Sequence, residues 1–297
     1  MYVIKMKTII SYLAVAAVII ASFGILRFSS EQAVPSAAEE SLDTVCVPII
    51  MYHNIMKSNT KSSKFIVTKN QLKEDLEFLK NNGYNTIVMN DLVEYVYNNK
   101  PLPEKPIILT FDDGYYNNYV YAYPMLKEYG FKGVLSVIGY YTDMYSENGE
   151  KNENYSHVTW EDIKEMSESG VMELQNHSYN LHSTDKGRNG SKKKKGESKE
   201  EYKKMLTGDL EKLQNGFSEN LKFTPNTYTY PFGSVSEASY DIIKELGFKC
   251  TLSCESGINN VSKNPECLYM MKRCIRTPAI SIEQILNKYA KDIQKQH

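Results

Sequence analysis

The sequence has almost no net charge, since 35 Lys and Arg residues stand against 36 Asp and Glu residues in a chain of 297. A chain without an excess of either sign has no overall field that would attract nucleic acid or an acidic partner, so nucleic-acid binding is disfavoured. Charged residues make up 24% and apolar residues 41%, the usual mix of a globular protein. This composition excludes a disordered tail protein, a collagen-like repeat and a multispanning membrane protein.

Cysteine and tryptophan are both scarce. The five cysteines are an odd number, so at least one thiol is expected to be free or to pair between chains. Cys250 and Cys254 could ligate a metal, but no second pair accompanies them, which favours buried thiols or a single disulfide. Tryptophan occurs once against 23 tyrosines, whose flat faces and hydroxyls suit carbohydrate as well as many protein surfaces.

Long apolar runs are absent apart from one near the N-terminus. Two lysines precede an apolar stretch from Ile9 to Leu26, which Arg27 ends. A basic lead-in before a first apolar run is an export pattern, and it favours export over a buried core helix. Because the run is long for a signal peptide, residues 1–28 are expected to form an uncleaved signal anchor, with a signal peptide cleaved near Ala37 or Ala38 as the alternative.

The rest of the chain divides into a linker and one body. Residues 29–44 are small, polar and acidic, as in a linker, and residues 45–297 form the predicted catalytic domain. We expect that domain to be exported, either anchored to the membrane and facing outward or secreted.

The body alternates between short apolar strands and amphipathic helices. This alternation predicts an α/β protein with a parallel sheet, and its length favours a (β/α) barrel, distorted or incomplete, with seven strands. Two polar segments, Thr142–His157 and Thr184–Lys199, are predicted to be loops. The second contains the lysine run Lys192–Lys195, which indicates a solvated loop or, alternatively, a contact with an anionic polymer or lipid headgroups. The predicted strands include Val45–Met51, Pro106–Phe111, Gly133–Ile138, Val171–Leu174, Thr227–Tyr230, Lys249–Ser253 and Met271–Ile275.

Two adjacent carboxylates follow the predicted strand Pro106–Phe111. Asp112 and Asp113 precede Gly114, which allows the backbone to turn sharply. Functional residues of parallel α/β domains gather at such strand ends, and two adjacent side chains diverge, so the pair can have two different roles. Taken alone, an Asp-Asp pair is equally consistent with a helix N-cap.

Two histidines follow the predicted strand Val171–Leu174. His177 and His182 are five residues apart, a spacing that puts them on one face of neither a helix nor a strand. They can converge only if the segment is a loop that wraps around something. Two imidazoles and a carboxylate with open positions for water are typical of a catalytic metal site.

Two other strand ends carry candidate residues. Tyr230, Pro231, Phe232 and Gly233 form a turn that would present backbone N–H groups to an oxyanion, although such a turn is also common in structural roles. His53 ends the first apolar strand, where a single histidine is more often structural than catalytic.

The motifs resemble, in order and spacing, those of the polysaccharide deacetylases of carbohydrate esterase family 4. The resemblance runs from about Pro48 to Ile285 and rests on the TFDDG motif, the HSxxLH segment and the YPFG turn. The histidine spacing and the MYH segment that ends at His53 are similar to the branch containing the biofilm poly-N-acetylglucosamine deacetylases, in which the acid histidine comes from the first strand. The implied roles are the metal triad for Asp113, His177 and His182, the catalytic base for Asp112, the general acid for His53, and the oxyanion donor for the backbone N–H of Phe232.

The sequence departs from the family pattern in two respects. Many members carry an arginine two residues before the proline of the turn, where this chain has Thr229. The usual arginine that braces the base is therefore absent, and Arg273 or Arg276 on a late strand is a candidate replacement. A late Leu-x-His motif is also lacking, and His157 lies in a polar segment, so His53 is the better candidate for the acid.

The resemblance implies hydrolysis of N-acetyl groups on a cell-surface or cell-wall polysaccharide, with release of acetate. One divalent ion is implied, zinc by default for a His₂Asp set; it would lower the pKa of bound water to roughly 7 and polarise the carbonyl. The implied partners are a glycan and, through the N-terminal segment, a membrane. Acetyl ester hydrolysis at the same metal site is the main alternative, and a carbohydrate-binding pseudoenzyme is a weaker one. Poly-N-acetylglucosamine, peptidoglycan, another wall polymer and a chitooligosaccharide all fit as substrates.

Overall fold

The computed structural model describes residues 44–58 and 63–291. The expected signal anchor at residues 1–28 and the linker up to residue 43 lie outside the described residues, so this division of the chain stays a prediction. Within the described ranges, no helix is both long enough and apolar enough to cross a membrane.

The described residues form an alternating series of strands and helices. The strands are β1 (Val45–Val47), β2 (Ile49–Tyr52), β3 (Asn54–Met56), β4 (Ile66–Thr68), β5 (Asn85–Thr86), β6 (Pro106–Phe111), β7 (Gly133–Val137), β8 (Met172–Asn176), β9 (Thr227–Thr229), β10 (Cys250–Leu252), β11 (Asn259–Val261) and β12 (Cys274–Ile275). The α-helices are α1 (Lys69–Asn81), α2 (Met89–Asn98), α3 (Tyr123–Tyr129), α4 (Gly139–Asn148), α5 (Trp160–Glu168), α6 (Lys199–Leu221), α7 (Ser239–Glu245) and α8 (Ile282–Lys288).

Seven parallel strands form the central sheet in the order β10, β9, β8, β7, β6, β2 and β12, and the short β5 also pairs with β6. The sheet curls so that its two edges meet. Met271, just before β12, donates its N–H to the carbonyl of Thr251 in β10 (2.9 Å), and its own carbonyl accepts the N–H of Ser253 (2.9 Å). The seven strands and their helices thus form a distorted (β/α) barrel, as predicted from the sequence.

Burial explains why the strand sequences are so apolar. Every residue of β6 and of β7 is buried, as expected for a parallel sheet covered on both faces. Helix α1 adds Leu72, Leu76 and Leu79 to this core and begins with a capping box between Thr68 and Gln71. Asp112, His177 and His53 of the sequence motifs come directly after three of these strands, β6, β8 and β2.

The two polar segments that were predicted to be loops differ in structure. The segment Thr142–His157 was expected to be a loop, but its first half belongs to helix α4, which ends at Gly149 with a φ of 68°. The segment is polar and buries only Gly139, Thr142 and Tyr145 of that helix, so it lacks the apolar stripe by which an amphipathic helix is recognised. Thr184–Lys199 is a loop with one short 3₁₀ turn, as predicted, except that its last residue, Lys199, begins helix α6. None of the five cysteines, all of which are described, forms a disulfide.

Candidate active site

The predicted site residues meet around one cavity at the carboxyl ends of the strands. The cavity has a volume of about 500 Å³. Its walls include His53 after β2, Asp112 and Asp113 after β6, His177 and His182 after β8, and Tyr230 and Phe232 after β9. Residues from distant parts of the sequence are therefore brought to one site by the strand order.

Asp113, His177 and His182 form a compact group of potential metal ligands. Oδ1 of Asp113 lies 3.4 Å from Nε2 of His177 and 3.2 Å from Nε2 of His182. The three potential ligand atoms all lie within 4.8 Å of one another. Oδ1 of Asp113 is buried and has no hydrogen-bond partner among the described residues. A buried carboxylate oxygen facing two imidazole nitrogens is the donor set that a divalent ion such as zinc prefers.

A backbone contact fixes the orientation of His177. Its Nδ1 lies 2.7 Å from the carbonyl oxygen of Thr229, which can only accept, so Nδ1 carries a proton and Nε2 of the neutral ring has the free lone pair. Such an outer contact orients a metal-binding imidazole. Thr229, which occupies the place of the family arginine, therefore contributes its main chain here, and its side chain bonds to Ser136 (2.8 Å).

A tight turn brings His182 back toward His177. Ser178 has a φ of 72°, and its N–H donates to Oδ1 of Asn176 (2.8 Å). Asp209 of helix α6 accepts the N–H groups of Tyr179 and Asn180, at 2.8 Å each. The two imidazole centroids consequently lie 4.9 Å apart. The loop therefore brings together two histidines whose spacing of five residues would separate them on a regular helix or strand. Sequence reasoning missed Asn176 and Asp209, because their role depends on this fold.

Asp112 is bound by Arg273 through two parallel hydrogen bonds. Nη1 lies 2.7 Å from Oδ1 and Nη2 lies 2.8 Å from Oδ2. Arg273 is itself held by the carbonyl of Ser253 (2.8 Å) and by Oγ1 of Thr110 (3.2 Å). Of the two arginines considered, Arg273 contacts the proposed base, whereas Arg276 pairs with Asp75 (2.7 Å).

The charges in the cavity set the ionisation of both aspartates. Burial alone would raise the pKa of Asp112, but the charge and hydrogen bonds of Arg273, together with the imidazoles of His177 and His53, more than offset it and lower that pKa. Burial also opposes ionisation of Asp113, yet its pKa falls well below the ordinary range because the imidazoles of His177, His53 and His182 lie close to it. Both side chains are therefore carboxylates at neutral pH, one held by a cation and the other facing the two histidines.

His53 directly follows β2 and lines the same cavity as the two metal-site histidines. Its ring centroid is 4.7 Å from that of Phe65, and its buried Nδ1 has no hydrogen-bond partner among the described residues. Burial lowers its pKa, and the charges of Asp112 and Asp113 partly offset that effect. The imidazole is thus available to exchange a proton with a molecule in the cavity.

Asn117 connects the segment after β2 to the segment after β6. Its Oδ1 accepts the N–H of Ile55 (2.9 Å), and its Nδ2 donates to Oδ1 of Asn54 (3.0 Å) and to the carbonyl of Glu153 (3.1 Å). Asn117 is fully buried. It therefore holds the backbone beside His53 against the turn that carries the two aspartates, a role that no local sequence pattern indicates.

The Tyr230–Gly233 turn forms the rim next to His182. Phe232 has a φ of 58°, is 46% exposed, and places its ring centroid 4.3 Å from that of His182. Gly233 is required by space, since a Cβ there would lie 2.7 Å from Cβ of Cys254. Pro231 is buried, and the buried Tyr230 hydroxyl lies 2.8 Å from Oγ of Ser239. Tyr230 and Phe232 thus line the cavity, and the oxyanion role of the Phe232 backbone stays a prediction.

His157 is buried behind the cavity, although its polar surroundings in the sequence indicate a loop. Its ring stacks on Tyr141 and Tyr145, with centroids 4.4 Å and 5.6 Å away, and lies against Tyr115 at 4.8 Å. Burial lowers the pKa of His157 to about 4. Burial and then the charge of Asp113 raise the pKa of Tyr115, which also lines the cavity, to about 12. This aromatic group packs against the metal-site side of the cavity.

Comparisons with known proteins agree with the motifs. The family described as "Polysaccharide deacetylase" matches residues 99–251, slightly more than half of the chain. Poly-beta-1,6-N-acetyl-D-glucosamine N-deacetylase from Escherichia coli (strain K12) is 25% identical over 72% of this chain, but the match spans only 34% of that relative's length. The protein of the same name from Staphylococcus aureus (strain MSSA476) is 26% identical over 69% of this chain and 70% of its own.

A solved structure shares the fold. The Streptococcus pyogenes deacetylase PplD in complex with acetate superposes with a TM-score of 0.66 at 24% identity, covering 82% of this chain and 98% of PplD.

Proposed function

The chain belongs to the polysaccharide deacetylase family, and from that premise we propose that it removes N-acetyl groups from an N-acetylated cell-surface or cell-wall polysaccharide and releases acetate. The observation that carries the proposal is the cavity in which Asp113, His177 and His182 converge beside an Asp112 held by Arg273. The names of the E. coli and S. aureus relatives make poly-β-1,6-N-acetylglucosamine the first candidate substrate.

We further propose that Asp113, His177 and His182 hold one divalent ion, with zinc the default. The unpaired Oδ1 of Asp113 and the free Nε2 lone pair of His177 fit such an ion. When bound, the ion supplies a Lewis acid that polarises the acetyl carbonyl and makes water more acidic.

The chain's own residues would supply the proton transfers. Asp112 is ionised and fixed in orientation by Arg273, so it can accept the proton of the attacking water. The backbone N–H of Phe232 at the rim would donate to the oxyanion that develops on the acetyl oxygen. His53 would donate a proton to the departing nitrogen, which is needed because an amide anion is a poor leaving group.

The test is release of acetate by the full chain across a panel of glycans. The panel holds poly-N-acetylglucosamine, peptidoglycan, a chitooligosaccharide and an O-acetylated glycan that has no N-acetyl group. We expect acetate from at least one N-acetylated glycan, with loss of that activity in Asp112→Asn. Acetate from the O-acetylated glycan alone would identify an esterase, and glycan binding without release of acetate would identify a pseudoenzyme.

We also propose that the protein acts outside the cell. The support is the apolar run Ile9–Leu26 with its basic lead-in, which favours a retained anchor over cleavage. Membrane fractionation with external protease would test this. We expect the chain in the membrane fraction and digestible from outside; a released form that begins near Ala38 would show a cleaved signal peptide.

A further inference from the structure

A second cavity adjoins the catalytic cavity and shares His182 with it. It has a volume of about 480 Å³ and lies between the start of helix α4 and the loop that follows His182. Tyr140 and Tyr141 come from the helix side, whereas Asn180, Arg188 and Lys194 come from the loop side. The lysine run of the sequence therefore borders a cavity next to the proposed metal site.

The walls of this second cavity are held in place by the rest of the fold. Tyr140 donates its N–H to the carbonyl of Tyr179 (2.8 Å). On the loop side, Gly190 packs on the rim turn so closely that a Cβ would lie 2.7 Å from the carbonyl oxygen of Pro231. Arg188 donates to both carboxylate oxygens of Glu197, and Lys193 donates its N–H to Oγ of Ser236 (2.9 Å). These contacts anchor both walls of the cavity.

The chemistry of the walls suits a neutral sugar. The Tyr140 side chain is 43% exposed, which leaves ring surface available for contact with the apolar face of a pyranose. Asn180 and Ser183 supply amide and hydroxyl groups for sugar hydroxyls. The charges balance, because Glu197 pairs with Arg188, and Asp185 accompanies Lys194 in the wall. A volume in the range of small-ligand sites accommodates a sugar residue.

We propose that the second cavity is a subsite for the neutral sugar next to the one that is deacetylated, with Tyr140 as its stacking platform. The inference rests on the proposed function, since it takes the substrate to be a glycan chain. A chain whose reacting sugar lies at Asp113 and His177 would pass His182 and enter this cavity. The enzyme would then act on oligosaccharides and polymers in preference to a single N-acetylated sugar.

The test compares Tyr140→Ala with Tyr97→Ala, a tyrosine of similar exposure (41%) on helix α2 that lines neither cavity. Three substrates are used: an N-acetylated oligosaccharide, the monosaccharide, and an aryl acetate that reaches only the catalytic cavity. For Tyr140→Ala we expect kcat/KM on the oligosaccharide to fall about tenfold, mainly through KM, because the ring contact is lost. Its activity on the aryl acetate and the monosaccharide, and all activities of Tyr97→Ala, should match wild type.

Each other outcome has a definite meaning. Equal losses on all three substrates would overturn the subsite, because Tyr140 would then support the catalytic cavity. An unchanged oligosaccharide rate would also overturn it. Wild-type protein that hydrolyses the aryl acetate but no glycan would overturn the proposed function and the subsite with it. Lys194→Gln should change the rate on the neutral oligosaccharide by less than about threefold; a large loss confined to a carboxylated glycan would identify an acidic sugar instead.

Discussion

Arg273 and Asp112 form a bidentate ion pair that is almost completely buried, with the two side chains 0% and 2% exposed. The two hydrogen bonds are 2.7 and 2.8 Å long and lock the carboxylate in the plane of the guanidinium. Arg273, late in the chain, thus binds the Asp112 carboxylate. Many family members are expected to make that contact with an arginine at the position of Thr229.

Arg273→Lys keeps the positive charge but cannot bond both oxygens of Asp112. We expect kcat on an N-acetylated glycan to fall on the order of 10²-fold, because the base loses its orientation, while KM and metal content stay close to wild type. The matched control is Arg276→Lys, which alters an equally buried pair with Asp75. That control should lower thermal stability without a comparable loss of kcat; similar losses in both variants would reduce Arg273 to a structural residue.

Removing a metal ligand should remove both the ion and the activity. His177→Ala deletes one of the three proposed donors. Loss of a residue that only hydrogen-bonds to a metal ligand lowers metal affinity roughly 10- to 100-fold, and loss of the ligand itself should lower zinc affinity by more than that. Metal content of the purified protein and acetate release after chelation and zinc addition would measure this. His157→Phe removes a neighbouring imidazole outside the ligand group and should keep the ion. A fully loaded and active His177→Ala protein would contradict the metal site.

The sequence was informative wherever the chemistry lies directly after a strand. His53, Asp112, His177 and the turn at Phe232 could be located because strands can be recognised as apolar runs, and parallel strands end on one side. The turn at Ser178 could be inferred only as a requirement, since the spacing of His177 and His182 fits no regular element.

Contacts between distant segments were harder to predict. Arg273 and Asp112 are 161 residues apart, and only the missing family arginine at Thr229 made Arg273 a candidate. Asn117 bonds to Asn54 across 63 residues and leaves no periodic signal. The burial of His157 could not be predicted from its polar sequence neighbours, because it comes from Tyr141 and Tyr145 on a helix that was itself missed.

His53 should matter most when the leaving group needs a proton. In His53→Ala, the rate on an N-acetylated glycan should fall on the order of 10²–10⁴-fold. Hydrolysis of an activated aryl acetate should fall much less, because its leaving group departs without protonation. Metal content should be unchanged, since His53 is not among the three ligand residues. Loss of the ion together with the rate, or equal losses on both substrates, would show that His53 is not the acid.

Asn117 should affect both stability and catalysis. Asn117→Ala removes the partners of the Ile55 N–H and of Asn54, and we expect destabilisation of about 1–3 kcal/mol with a fall in kcat as the His53 segment shifts. The control is the adjacent Asn118→Ala, an equally buried residue whose side chain makes no hydrogen bond among the described residues. Urea unfolding measures the effect on stability, and the ratio of the rate on an aryl acetate to the rate on a glycan measures the effect on catalysis. A kcat in Asn117→Ala equal to that in Asn118→Ala would confine Asn117 to stability.

His157 should make the fold sensitive to acid. The imidazole is packed against Tyr115, Tyr141 and Tyr145, and its Nδ1 has no hydrogen-bond partner among the described residues; its pKa of about 4 reflects burial, which the charge of Asp113 only partly offsets. The unfolded chain binds a proton at this residue near pH 6.5, whereas the folded protein does so only near pH 4. Between these values the unfolded state carries more protons, so stability is present above pH 6.5 and is lost as the pH falls.

His157→Phe tests this directly, because phenylalanine keeps the stacking surface and cannot bind a proton. At pH 7 the variant should be about as stable as wild type, since the lost Nδ1 has no partner among the described residues. As the pH falls from 6.5 to 4, wild type should lose on the order of 3 kcal/mol of unfolding free energy relative to the variant. Other buried histidines, such as His53, titrate in both proteins and cancel in the difference. Urea unfolding at several pH values measures this difference; parallel stability curves would mean that His157 can be protonated in the fold without penalty, and would contradict its burial as a neutral ring.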